Sequence, residues 1–223
     1  MKYFLLFLLL GLCTQYAVGQ YSYIDTHPNA AKINKRLDNW RKGTIWLNDG
    51  TQVKGLFSYN PLVVEGILKV QDGEKTKMYT ANQVDGFAFY DYEKQTKRRY
   101  YTFPFTYNDI YNNFFFEILH EGKKYSLLGR ESIFIMQTIN DGYTNSDVYK
   151  GDYLLFIFEN ETGELQNIKR KVLFEAMEDK EQEVRTFMKK LNIHSVKKLE
   201  NARKVFRYYD LLLDKDEERS SSF

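Results

Sequence analysis

The chain has 223 residues, of which 43% are hydrophobic, 28% are charged and 17% are aromatic, and its formal net charge is +2. This composition excludes a disordered or low-complexity protein, and the near balance of charges gives no overall signal for nucleic acid or another polyanion. The length suits one sizeable core with room for a helical appendage.

The first residues, 1–19, have the pattern of a secretory signal peptide. The unbroken apolar run Tyr3–Leu12 is followed by small residues in Ala17-Val18-Gly19, at the positions that a signal peptidase reads. The run is shorter than the roughly 20 residues that span a membrane. We expect cleavage after Gly19. The alternative is lipidation at Cys13, but that processing normally needs a small residue where Leu12 stands.

Cleavage after Gly19 would remove the single cysteine of the chain. The mature protein would then contain no disulfide, no thiol nucleophile and no cysteine-based metal site. We therefore expect an exported protein, periplasmic or extracellular, without a transmembrane helix in its mature part. Nucleic acid is not an expected partner in that compartment.

Residues 20–41 are predicted to form an N-terminal segment that is partly helical, and residues 42–168 an antiparallel β domain. Short runs rich in Tyr, Phe, Val, Ile and Thr are typical of strands. The turns Asp49-Gly50 and Asp72-Gly73 each separate two such runs and predict two hairpins. Further strands are predicted at 84–90, 114–119, 124–128, 133–138, 153–159 and 165–168, which gives a meander or a partly open barrel.

After Ile168 the charges become dense and the apolar spacing lengthens to three and four residues, which is typical of helices. The helices have apolar stripes that need burial, and we expect them to pack on the protein's own sheet rather than on a partner. The predicted fold class is thus α+β. The segment 169–214 is predicted to hold helices at 172–177, at 180–191 behind an Asp179 N-cap and from a Ser195 cap onward, before a frayed tail at 215–223.

The first hairpins carry a resemblance. The run Gly43-Thr-Ile-Trp-Leu-Asn-Asp-Gly50, with Val53-Lys-Gly55, Ile67-Leu-Lys-Val70 and Val84-Asp-Gly-Phe87, is similar to the opening of small SH3-like or Sm-like barrels. In such barrels the glycines permit the bend that closes the sheet. The layout of the whole chain resembles uncharacterised exported proteins of Bacteroidota. Neither resemblance implies an activity or a site residue.

Aromatic and cationic residues alternate between residues 90 and 101, a combination that stacks on sugars and binds anions. The same pattern also fits a cationic hairpin whose tyrosine rings cover the sheet. The candidate ligand-binding residues are Tyr90, Tyr92, Arg98, Arg99, Tyr100 and Tyr101.

A polar loop at residues 140–147 is the candidate metal site. Its proposed calcium ligands are Asp141, Asn145, Asp147 and Asp152. Counted as an EF-hand from Asp141, however, the loop has Ser146 where glycine is needed and an aspartate where a bidentate glutamate belongs. An ordinary surface loop is the alternative.

The sequence predicts no catalytic residue and no cofactor. The three histidines have no spacing typical of a metal site, and the motifs of hydrolases, nucleotide-binding and dinucleotide-binding proteins are missing. We therefore expect an exported, non-enzymatic binding or structural interaction module of the cell envelope, with another envelope protein or a glycan as its partner. The alternatives are a protein dedicated to glycan or envelope-polymer binding and a carboxylate-dependent hydrolase.

Overall fold

Ten strands and three α-helices make up the part of the chain that the computed structural model describes, which is residues 40–60, 66–92, 94–107, 109–140 and 145–220. Some predicted segments lie outside these ranges. They are the signal peptide, residues 20–39 of the N-terminal segment and residues 221–223 of the tail. The strands are β1 Arg41–Leu47, β2 Gln52–Asn60, β3 Ile67–Asp72, β4 Lys75–Thr80, β5 Val84–Asp91, β6 Thr96–Tyr107, β7 Ile110–His120, β8 Tyr125–Asn140, β9 Asn145–Glu159 and β10 Leu165–Asn167. The helices are α1 Arg170–Ala176, α2 Glu181–Lys190 after a 3-10 turn at Glu178–Lys180, and α3 Leu199–Ser220.

The strands form one open antiparallel sheet in the order β10-β9-β8-β7-β6-β5-β1-β2-β3-β4. This confirms the predicted fold class and both predicted hairpins. The order departs from a plain meander at one point, because β5 returns past β2–β4 to pair with β1. That pairing sets Ile45 opposite Phe87, and both side chains are completely buried. Burial of this apolar row explains why the chain returns to β1.

The first seven strands curl around an aromatic core. The rings of Tyr59 in β2 and Phe115 in β7 lie 5.8 Å apart, although four strand spacings, or about 19 Å in a flat sheet, separate these strands. Gly66 is packed directly beneath the Phe115 ring. The concave side of this curl, which we call the inner face, encloses Ile45, Phe57, Leu68, Val70, Val84, Phe87, Phe89, Tyr100 and Phe115.

The sheet folds over at the pairing of β7 with β8. This pairing is short, from Glu117 to His120, and contains a register shift. Beyond it, the ring of Phe103 in β6 lies 4.7 Å from that of Phe158 in β9. Strands three spacings apart would be about 14 Å apart in a flat sheet, so the β6–β7 hairpin lies across β9. The resulting phenylalanine cluster includes Phe114, Phe116, Leu128 and Phe156.

The helices pack on the protein's own sheet, as predicted. Val184 and Met188 of α2 and Phe206 of α3 are buried against sheet residues such as Leu127 and Ile157. Helix α2 ends one residue before the predicted bound of 191, and Leu191, which follows it, is exposed.

Both predicted helix caps are wrong. The N-cap of α2 is Lys180, while Asp179 lies in the 3-10 turn and accepts a hydrogen bond of 3.0 Å from the hydroxyl of Tyr209 in α3. Ser195 lies four residues before α3, and its hydroxyl accepts a hydrogen bond from the Lys197 N–H. In both places the side chain predicted to cap a helix instead forms a hydrogen bond with a residue outside that helix turn.

The predicted fraying of residues 215–220 is also wrong, because α3 continues to Ser220. Ion pairs hold this last part of the helix. Lys123, which follows β7, contacts Asp214 at 2.5 Å and Glu217 at 2.6 Å, and Lys180 pairs with Asp216. Charged contacts with distant parts of the chain thus extend α3 through residues 215–220, which have no apolar pattern of their own.

Candidate functional site

The six residues predicted to bind a ligand all belong to the β5–β6 hairpin, but they do not form one site. Successive side chains of a strand point to opposite faces. In β6 the side chains of Arg98 and Tyr100 are therefore buried on the inner face, at 4% and 2% exposure, while Arg99 and Tyr101 lie on the opposite, outer face. Tyr90 and Tyr92 are also exposed. The hairpin thus carries two different groups of side chains.

On the inner face, Arg98 forms a two-pronged ion pair with Glu117 of β7. Its Nε donates to Glu117 Oε1 at 2.8 Å, and its Nη2 donates to Oε2 at 2.6 Å. The hydroxyls of Tyr153 and Tyr100 lie within hydrogen-bond distance of the same Oε2, at 2.7 and 3.3 Å. Paired donors of this kind fix both the distance and the orientation of the two groups.

The network extends from this pair toward solvent. Arg98 also contacts Glu131 through Nη2 and Asp91 through Nη1, the latter at 3.4 Å. Lys94, an exposed residue of the β5–β6 turn, places its Nζ 3.4 Å from Glu131 and donates its backbone N–H to Asp91 at 3.1 Å. Three carboxylates thus surround one buried guanidinium, with a lysine at the open side. We call these residues, with Tyr100 and Tyr153, the Arg98 network.

The electrostatics of the Arg98 network favour the ionised forms of Glu131 and Asp91. Burial acts to raise the pKa of Glu131, but the charges of Arg98 and Lys94 outweigh it and hold that pKa below its usual range. Burial likewise opposes the lowered pKa of Asp91, which depends on the Lys94 N–H and on neighbouring cations. Burial, followed by the charge of Glu117, raises the pKa of Tyr153 far above its usual range.

These directions decide what the Arg98 network can do chemically. A glycosidase of the ordinary kind needs one carboxylic acid that stays protonated near neutral pH. Glu131 and Asp91 are shifted the opposite way, and Tyr153 keeps its proton rather than becoming a nucleophile. Neither shifted carboxylate offers such an acid, and the two-pronged Arg98–Glu117 pair gives the network the geometry of a structural ion cluster. It ties β5 to β9 across the middle of the sheet.

The outer face of the hairpin has a different composition. We call it the Tyr–Lys face and define it by eight exposed or half-exposed aromatic and cationic residues of β1, β2, β5 and β6 and their flanking residues, none of which belongs to the Arg98 network. Four of the eight exposed large hydrophobic side chains in the described part of the chain belong to it. Its members are Trp40, Lys42, Lys54, Tyr90, Tyr92, Lys97, Arg99 and Tyr101.

The strand register arranges these side chains in a line flanked by cations. Tyr90 is paired with Lys97 of β6, and the register that pairs Gly43 with Phe89 sets Lys42 beside Tyr90 on the β1 side. The rings of Tyr90 and Tyr92 contact each other edge to face at 5.0 Å. At the other end, the ring of Tyr101 packs over Gly86, where a β-carbon would come within 3.0 Å of it.

Two acidic residues lie close to the Tyr–Lys face. Glu121, which follows β7, pairs with Arg99 at 2.5 Å, and both side chains keep considerable solvent exposure. Asp85 is exposed at the irregular pairing of β5 with β1. Among the described residues named here, the four cations of the Tyr–Lys face exceed these two carboxylates in number.

The predicted calcium loop is shorter than expected, since β8 ends at Asn140 and β9 begins at Asn145. Asp141 lies outside the described residues. The other three predicted ligands, Asn145, Asp147 and Asp152, are positions of strand β9. From Asn145 to Asp152 the strand extends about 23 Å, whereas calcium ligands lie about 2.3–2.6 Å from one ion. The calcium site stays a prediction, and the strand geometry gives it no support.

The described residues contain no group of three or more His, Cys, Asp or Glu side chains arranged to hold a metal ion. His194 is exposed, and His27 lies outside the described ranges. His120 has a role that the sequence did not reveal, because its Nε2 lies 2.6 Å from Asp210 Oδ2 and so joins the end of β7 to α3. His120 and Asp210 are ninety positions apart in the chain, so no local sequence pattern could have predicted this contact.

Comparison with known families finds no matching family model, and comparisons with curated proteins and with solved structures give no match either. Among the described helices, none is long and apolar enough to cross a membrane. The resemblance to small barrels and to exported Bacteroidota proteins stays a prediction.

Proposed function

We propose that this chain is an exported, non-enzymatic binding module of the cell envelope that holds its partner on the Tyr–Lys face. The observation that carries the proposal is the concentration of exposed rings and cations on one side of a rigid hairpin. Exposed tryptophan and tyrosine are costly to leave in water, and they are enriched where proteins bind partners.

The Arg98 network supports the non-enzymatic part of the proposal and the rigidity of the site. Glu131 and Asp91 of this network have lowered pKa values, which do not suit proton donation to a leaving group. Its contacts fix β6 from the inner side, directly behind Arg99 and Tyr101. A binding surface on a rigidly held strand loses little entropy when its partner docks.

The binding proposal is tested by crosslinking in cells. The tagged protein is crosslinked in its native envelope, captured and examined by mass spectrometry and by carbohydrate analysis. The wild type is compared with Tyr90→Ala/Tyr101→Ala and with Tyr111→Ala, whose tyrosine is exposed on β7. We expect one stoichiometric partner with the wild type and the control, and its loss in the double variant. Recovery of the wild-type protein alone would overturn the proposal.

The export proposal is tested by the N-terminus of the protein purified from the envelope fraction. Cleavage after Gly19 gives a chain that begins at Gln20. A lipid-modified N-terminus at Cys13 would support the alternative processing. An intact Met1 in the cytoplasmic fraction would contradict export.

A further inference from the structure

We infer that the ligand of the Tyr–Lys face is an acidic polysaccharide, a polymer with carboxylate groups on its sugar rings. This inference rests on the proposed function and names the class of partner. It is carried by the order of the rings and cations along the β5–β6 hairpin.

The rings extend along one direction. Tyr101 is opposite Gly86, four residues before Tyr90 in β5, so the two tyrosines are about 13 Å apart along the strand. Tyr92 follows Tyr90 and contacts its ring at 5.0 Å, which lengthens the line further. A surface of this length exceeds a single sugar ring and suits an extended chain lying along β5. Tyrosine rings stack on the apolar faces of sugars and leave their hydroxyls in contact with polar groups and water.

Cations lie on both sides of this line. Lys97 is directly opposite Tyr90, and Lys42 is on the other side. Thr44 and Ala88, small residues between the two tyrosines, lie in one cross-strand row with a cation at each end. These cations are Lys54 and Arg99, of which Arg99 also pairs with the exposed Glu121. A chain that stacks on the rings would therefore bring carboxylate groups on either edge within reach of a cation. The formal charge of the whole protein, +2, conceals this local excess.

The residue composition of the Tyr–Lys face favours this ligand over a protein partner. Protein interfaces are enriched in tyrosine, tryptophan and arginine but are depleted of lysine, and three of the four cations here are lysines. Lysine is a flexible point charge that pairs with carboxylates at varied positions, as an irregular or mobile polymer requires. A protein partner is thus the less favoured occupant, and it becomes an outcome of the test.

The test measures binding of the purified full chain to three polyuronates: polygalacturonate, polymannuronate and hyaluronan. Two comparison ligands separate the parts of the inference. Methyl-esterified polygalacturonate keeps the sugar chain but loses the charge, and polyglutamate keeps carboxylates but has no sugar. We expect at least one polyuronate to bind, with an affinity that falls as salt rises, and both comparison ligands to bind at least about tenfold more weakly.

Variants then locate the site. Tyr90→Ala/Tyr101→Ala is expected to weaken binding by about tenfold or more, as is Lys42→Gln/Lys97→Gln, because stacking and charge pairing both contribute. Tyr111→Ala and Lys171→Gln change exposed residues of the same types away from this face and are expected to bind like the wild type. Unchanged circular dichroism and thermal unfolding of each variant exclude misfolding as the cause.

Several results would overturn the inference. Binding of none of the three polyuronates would do so, as would equal binding of polyglutamate or of the methyl ester. Equal affinity of the wild type and the tyrosine variant would remove the face from the site. If crosslinking captures a protein that is lost in Tyr90→Ala/Tyr101→Ala while no polyuronate binds, the proposed function stands and this inference falls.

Discussion

Arg98 and Arg99 are neighbours in the sequence and have opposite environments. Arg98 is 4% exposed and is surrounded by three carboxylates, whereas Arg99 lies on the Tyr–Lys face and pairs with a single exposed glutamate. Tyr100 and Tyr101 differ in the same way, since one ring is enclosed in the core and the other is open to solvent. One strand therefore carries a stabilising network on one side and a candidate binding surface on the other. The alternation of the strand, rather than residue type, determines which role each side chain has.

The sharpest test of this difference is Arg98→Met compared with Arg99→Gln. Removal of Arg98 leaves the buried Glu117 without its two-pronged partner and Asp91 without one of its neighbouring cations, and we expect a loss of about 3–5 kcal/mol in the free energy of unfolding. Arg99→Gln removes an exposed ion pair and should cost less than about 1 kcal/mol. Urea unfolding followed by circular dichroism measures both values. Similar losses in the two variants would contradict the division between the faces.

Close packing on the inner face can be tested with a pair of glycines. Gly43 and Gly55 are partners in the β1–β2 register, yet their surroundings differ. A β-carbon at Gly43 would overlap the carbonyl oxygen of Ala88 and come within 2.5 Å of the Phe57 ring, while one at Gly55 would meet nothing within 4 Å. We expect Gly43→Ala to cost about 1–3 kcal/mol and Gly55→Ala to change stability by less than about 0.5 kcal/mol. Equal midpoints in urea would show that the crowding at Gly43 relaxes.

The Arg98 network also predicts a dependence of stability on pH. The pKa values of Glu131 and Asp91 are lower in the folded protein than in the unfolded chain. Their contribution is therefore complete above about pH 5 and is lost as the pH falls through their folded pKa values. Glu131→Gln should reduce the slope of unfolding free energy against pH below pH 4.5 by up to about 1.4 kcal/mol per pH unit.

The matched control for this slope is Glu161→Gln, which changes an exposed glutamate in the β9–β10 turn. It should keep the wild-type slope. If Glu131→Gln and the wild type lose stability in parallel between pH 5 and 3, the lowered pKa of Glu131 is not a source of acid sensitivity.

The smallest expected effect on stability belongs to the Tyr–Lys face. Tyr92→Ala removes a side chain that is 72% exposed, and we expect the free energy of unfolding to change by less than about 0.5 kcal/mol. Differential scanning calorimetry should place its midpoint within about 1–2 °C of the wild type. A larger loss would indicate that the Tyr90–Tyr92 contact supports the hairpin, and the two faces would then differ less than their exposure suggests.

Local patterns predicted much of the fold. The Asp-Gly turns and the period-two runs placed the first two hairpins correctly, because a tight turn and its flanking strands depend on adjacent residues. The helical segment was found because its apolar spacing changed. The caps at Asp179 and Ser195 were assigned wrongly, since contacts with Tyr209 and Lys197 compete for these side chains.

The candidate site was predicted by composition but not by arrangement. The mixture of aromatic and cationic residues marked the β5–β6 hairpin. Three of its six nominated residues, Tyr90, Tyr92 and Tyr101, are exposed, and Arg99 is half-buried. Arg98 and Tyr100 were grouped with the exposed residues because strand β6 was not predicted. Without that strand, the alternation of its side chains between the two faces of the sheet could not be used. Three members of the Arg98 network were missed, because they lie on other strands and are distant from Arg98 in the sequence. They are Glu117, Glu131 and Tyr153.

The sequence by itself determined most of the strands, the first two hairpins, the amphipathic helices and a region rich in rings and cations, because each depends on neighbours a few residues apart. Only the tertiary structure decided that β5 pairs with β1, that the sheet curls and folds over, and that Arg98 is buried while Arg99 is not. Those features depend on which apolar surfaces become buried against one another, and burial is a property of the whole chain. The same distinction separates a charge that stabilises the fold from one that remains available to a ligand.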